Sequence, residues 1–201
     1  MAILDFPDIT PDDAVWTLSF NTQIFESSLN GAIQTRIMPG SRWEAELTFS
    51  NRQGRDIREL SGFLTRLQGR AGRVYIVPSD WEPLGTALGS PSLFSSASAG
   101  NITISTTGWS ASQSEALAIG DYFELNGELK QVTQTVSTDA SGNATINFSP
   151  ALRSDVASGP SIVLDEPKAI MMLNNDKQAS RQISAPLIYS VTLKFREPLD
   201  I

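Results

Sequence analysis

The chain is 201 residues long, carries a formal charge of -7, and contains neither cysteine nor histidine. Without cysteine it has no disulfides, no thiolate nucleophile and no Cys-type zinc site; without histidine it lacks the commonest general base and metal ligand. An acidic chain is also short of the clustered Lys and Arg that neutralise nucleic-acid phosphates.

In chain order, the start carries four acids by Asp13 and no basic n-region, so it does not read as a secretory signal. The first predicted strand covers 14–20, where Trp16, Leu18 and Phe20 share one face. A second β stretch covers 23–38, with Asn30-Gly31 as a tight hairpin turn, and Pro39-Gly40 breaks it. In the clearest strand, Trp43, Ala45, Leu47 and Phe49 alternate with Arg42, Glu44, Glu46 and Thr48. Its polar face is predicted to meet water or a neighbouring subunit. One amphipathic helix follows over about 52–68, with Ile57, Leu60, Leu64 and Leu67 spaced by three and four, Asn51 as N-cap and Gly69 as C′. A short strand at 73–77 closes this part.

The next stretch is predicted as a loop to about Asn101, with its Ser-rich part, 90–100, on the surface. Strands are predicted at 102–105, 122–125, 129–136, 144–148 and 161–164, with Asn126-Gly127 as a hairpin turn. The chain ends with strands at 169–173, 180–184 and 188–195. No run of about 18 apolar residues indicates a membrane span.

Charge divides the chain. Residues 80–165 hold nine acids (Asp80, Glu82, Glu115, Asp121, Glu124, Glu128, Asp139, Asp155 and Asp165) against Lys130 and Arg153, so the whole surplus lies there. The flanks balance. The predicted architecture is therefore mainly β: a β-sandwich of residues 1–79 plus 166–201 with one helix, carrying an inserted small β-barrel or sandwich at 80–165. Insertions are tolerated where a connection already crosses the surface.

Candidate sites are few. Arg42, Glu44 and Glu46 on the strand, with Arg58, Arg66, Arg70 and Arg73 on and after the helix, are candidate contacts to an adjacent copy; the plain alternative is a solvated face. Trp81, Trp109 and Tyr122 are candidate glycan-stacking residues, although aromatics in a small β domain are more often core. Asp121 and Glu124 are the carboxylate pair a hydrolase would use, but residues three apart in a strand face opposite sides. Asp139, Ser141 and Asn143 mimic the start of a calcium loop without its sixth-place glycine or its twelfth-place acid, and read as a turn. Asp12-Asp13 likewise reads as a turn. No phosphate-binding loop, dinucleotide fingerprint or nucleophile elbow occurs, so no cofactor or catalytic residue is assigned.

The run Asn21-Thr22-Gln23, Gly31-Ala32-Ile33-Gln34-Thr35 and Pro39-Gly40-Ser41-Arg42-Trp43, followed by the helix ending Gly69-Arg70-Ala71-Gly72-Arg73, resembles small tail proteins of long-tailed bacteriophages. So do Gly120-Asp121-Tyr122-Phe123, Gly127-Glu128-Leu129-Lys130, Gly142-Asn143-Ala144-Thr145 and Pro150-Ala151-Leu152-Arg153. The architecture is most similar to the distal tail protein family. That resemblance implies a β-sandwich forming a hexameric ring between tail tube and tip, a second β domain projecting outward, and no catalytic residues. The expected partners are further copies and other tail proteins (tube, tip or hub, fibres), with DNA only as passing cargo and no membrane insertion. The expected location is the virion tail, after synthesis in the host cytoplasm. A carbohydrate-binding tail module and a tube- or terminator-like ring are the alternatives.

Overall fold

The structure is a computed structural model describing residues 2–177, 183–184 and 188–199. Among the described residues it is mainly β, with one α-helix. The strands are β1 (Leu4–Asp5), β2 (Asp13–Ser19), β3 (Thr22–Glu26), β4 (Ile33–Ile37), β5 (Arg42–Arg52), β6 (Val74–Ile76) and β7 (Gly89–Leu93). Then come β8 (Thr103–Trp109), β9 (Tyr122–Leu125), β10 (Glu128–Val132), β11 (Asn143–Ser149), β12 (Ala169–Leu173), β13 (Ile183–Ser184) and β14 (Ile188–Arg196). Helix α1 (Arg55–Leu67) follows β5.

The first sheet runs β1-β6-β12-β14-β5-β2, with β13 beside β14. Its core follows from the period-two pattern of β5: Trp43, Ala45, Leu47 and Phe49 are buried while their neighbours on the other face are not. Helix α1 contributes Leu60, Leu64 and Leu67 to that core. Its predicted start is corrected. Asn51 is no N-cap, because β5 continues to Arg52, and Gly54 caps the helix with no side-chain hydrogen bond. Asn51 instead sits where the register with β14 shifts between Tyr189 and Val191, at φ 54°, a left-handed turn that Asn tolerates. At the other end, Gly72 is required by contact: a Cβ there would lie 2.1 Å from the Leu67 carbonyl oxygen. Phe20 also departs from expectation, lying past the end of β2 and 61% exposed.

The second sheet is formed within the 80–165 stretch, in the order β7-β8-β11-β10-β9. It curls, and its two edges are bridged by one segment: Ser161 pairs with Ser92 of β7, and Val163 pairs with Glu124 of β9. The strand predicted at 161–164 is therefore a pair of isolated bridges. The loop predicted from residue 80 to about Asn101 contains β7, whose Pro91 and Leu93 are buried. Serine and proline hide this strand in the sequence; proline is accepted because β7 has only one long strand partner. Asn126 and Gly127, both at positive φ, make the predicted two-residue turn between β9 and β10.

Each sheet has its own buried cluster, one around Phe49, Leu64 and Phe195 and one around Phe123, Ile146 and Phe148. The clusters meet on β10. Leu129 belongs to the first cluster and Val132 to the second. The excursion that forms the second sheet begins and ends on paired strands, since Ile76 of β6 lies opposite Ala169 of β12.

Candidate functional site

Among the described residues, strands β3 and β4 pair only with each other and belong to neither larger sheet. Every one of their ten residues is exposed. The connection is longer than the predicted tight turn: Ser27 donates to the Ala32 carbonyl, Gly31 donates to Ser27, and Asn30 Oδ1 accepts from the Ala32 N–H. Only the root is tied down. Met38 N–H donates to the Asn21 carbonyl at 2.7 Å, and Asn21 Nδ2 donates to the Pro39 carbonyl at 2.8 Å.

The register places Thr22, Ile24, Glu26, Ile33, Thr35 and Ile37 on one face and Gln23, Phe25, Gln34 and Arg36 on the other. Ile24 and Ile33 are each 63% exposed, Ile37 is 79% exposed, and Leu29 in the connection is 97% exposed. A β-branched face of this kind has the composition of a half-buried strand pair. A lone two-stranded hairpin is at best marginal in water without a covering layer. Contiguous exposed apolar area mostly marks an interaction surface. The period-two pattern predicted the strands, but nothing local in the sequence marks them as unpartnered; that depends on which other strands find each other.

The predicted interface residues are dispersed. Strand β5 lies between β14 and β2 and so has no free edge, which leaves Arg42, Glu44 and Glu46 the outward face of the sheet as their route to an adjacent copy. On the outward face, Arg42 pairs with Glu44 at 3.4 Å and Lys194 with Glu46 at 2.8 Å. The terminal strands of the sheet path are β1 and β2. Arg58 and Arg66 are exposed on α1, and Arg70 is exposed in the turn that follows. The Arg73 guanidinium closes that turn by donating to the carbonyls of Arg70, Ala71 and Gly72.

The three predicted glycan-contact residues form no platform. Trp109 is 5% exposed in the second cluster, with its Nε1 donating to Thr106 Oγ1 at 2.8 Å. Trp81 is half-buried and donates to the Leu164 carbonyl. Tyr122 packs edge-on against Trp43 at 5.8 Å, and its hydroxyl donates to Asp80. Burial, then the Asp80 charge and hydrogen bond, push the Tyr122 phenol up to about 12.

The carboxylates considered for hydrolysis are engaged by the backbone. Asp121 accepts N–H groups from Leu84, Gly85 and Ala118, while Glu124 accepts the Lys168 N–H. Asp139 accepts from Ser141 N–H, Asn143 N–H and Asn143 Nδ2, and these bonds, Asn143's foremost, hold its carboxyl below the usual range. Asp12 accepts from Ser50 N–H and Arg52. No family model matches the chain, and no curated protein matches it.

Proposed function

We propose that this chain is a structural, non-enzymatic subunit of a phage tail tip, which closes with further copies into a ring, hexameric by family resemblance, joining tube to tip. The hairpin of β3 and β4 carries this reading, because its three-isoleucine face has no covering layer within the described chain. A neighbouring copy supplies one. A closed ring gives each subunit one donated and one received contact, so every hairpin is covered and none is left over. Burying a large aliphatic side chain stabilises by about 1.5–3 kcal/mol, so three isoleucines per contact are a substantial drive to assemble. In this reading residues 80–165 are an inserted unit carried outside the ring, and the other tail proteins and passing DNA are its neighbours.

The test is native mass measurement on wild type and on the triple variant Ile24→Ser/Ile33→Ser/Ile37→Ser. Wild type is expected near six subunits. The variant is expected as a folded monomer whose melting temperature matches that of dissociated wild type, because exposed substitutions move stability by only about 0.5 kcal/mol each. A wild-type monomer at high concentration overturns the reading. The tube- or terminator-like alternative uses the hairpin in the same way, and copy number per virion separates it: few for a tip ring, hundreds for a tube.

A further inference from the structure

Four charged side chains are buried where β10 lies against the first sheet. Lys130 is fully buried, Glu128 and Glu197 nearly so, and the Arg153 side chain is 15% exposed. Lys130 Nζ donates to Glu128 Oε2 at 2.6 Å and to the Ala151 carbonyl at 3.0 Å. Glu128 also accepts the Arg153 N–H. The Arg153 guanidinium then crosses to Glu197, just after β14, and the same Glu197 oxygen accepts the Trp43 N–H at 2.8 Å. Trp43 Nε1 returns the link by donating to the Leu129 carbonyl at 3.2 Å. The chain of contacts runs from the second sheet to the first and back.

We propose that the Glu128, Lys130, Arg153 and Glu197 network is a joint that fixes the angle of the 80–165 unit on the first sheet, and that its contribution is orientation and not stability. The apolar contacts at the same place, Leu129 in the first cluster and Tyr122 against Trp43, hold the parts together. Such contacts are non-directional and survive small rotations. The ion pairs do not. Any turn that separates Arg153 from Glu197 breaks a buried ion pair and leaves each charge without its counter-charge, an arrangement an interior strongly disfavours.

Two further observations separate orientation from stability. Burial pushes the Glu197 carboxyl up despite Arg153, and pushes the Lys130 amine down despite Glu128, so desolvation outweighs attraction at both ends. Arg153 Nε and Nη1 and Glu197 Oε1 are also buried without a hydrogen-bond partner among the described residues. A network built for stability would satisfy those atoms. Replacing buried ion pairs by apolar groups of similar volume is often neutral or stabilising. The joint holds whether or not the chain closes into a ring.

The chain has no cysteine, so spin labels at Arg58→Cys on α1 and Thr145→Cys on β11 report the angle directly. The distance distribution is measured in three backgrounds: the native network, the apolar set Glu128→Leu/Lys130→Met/Arg153→Met/Glu197→Leu, and Glu197→Gln alone. The native network is expected to give one narrow peak. Loss of that peak in either variant, at an equal or higher melting temperature, supports the joint. A narrow peak in both variants overturns it, and so does broadening seen only together with a lowered melting temperature.

Discussion

Acidic side chains in this protein hold loops. Of the nine acids at 80–165, Asp121, Glu124, Asp139 and Asp155 each accept backbone N–H groups, Glu128 pairs with Lys130, and Asp80 accepts the Tyr122 hydroxyl. The charge surplus was legible in the sequence. Its use was not, because an aspartate facing solvent and one facing three amides look alike until the loop is folded. Tyr122 gives a titration to check. Its phenol is raised from 10.0 to about 12, so the folded state favours the neutral form; that stability is complete below pH 10 and is lost as pH climbs through about 12. Denaturant midpoints of wild type are expected to fall across that window more steeply than those of Tyr122→Phe, and parallel curves would refute the assignment. Gly72 gives a packing test. Alanine there meets the Leu67 carbonyl and the Leu67 Cδ1, and is expected to cost about 1–3 kcal/mol, read as a lowered melting temperature.

Single strands were readable wherever alternation was clean and uninterrupted. Strands β5 and β9 lie at or near their predicted bounds because their apolar residues alternate onto one face, and β12 does so because its five residues form an unbroken apolar run. Strand β7 was not readable, since its serines and proline carry the signature of a loop, and its covering partners include Pro160 and Ser161, far along the chain. The predicted 180–184 strand meets β13 at Ile183–Ser184, and its first three residues lie outside the described ones. Strand β10 is the element with two duties. Its residues read as an ordinary hairpin arm, yet Leu129 fills the first core although it belongs to the acidic stretch. Leu129→Ala is therefore expected to destabilise the first sheet by about 2–5 kcal/mol in denaturant unfolding. Exchange protection should fall in β5 and β14 as well as in β10; a loss confined to the second sheet would show that the two cores do not communicate through this residue.

Across the whole molecule, the order of strands in space differs sharply from their order in the chain. Strand β14 follows every other strand in sequence but lies between β12 and β5, and Trp43 finds Glu197 across 154 positions. Every strand of the second sheet, by contrast, falls between Gly89 and Ser149. Contacts between distant positions form slowly because large loops must close first. In pulse-labelled refolding, amides of β8, β10 and β11 are expected to gain protection before those of β5 and β12, and the reverse sequence of events would refute this. On the ribosome the second sheet has all its strands while β5 still awaits β14, the strand that covers its open side. The hazardous interval for this protein is therefore its own synthesis, when an uncovered ladder of N–H and C=O groups faces a crowded cell.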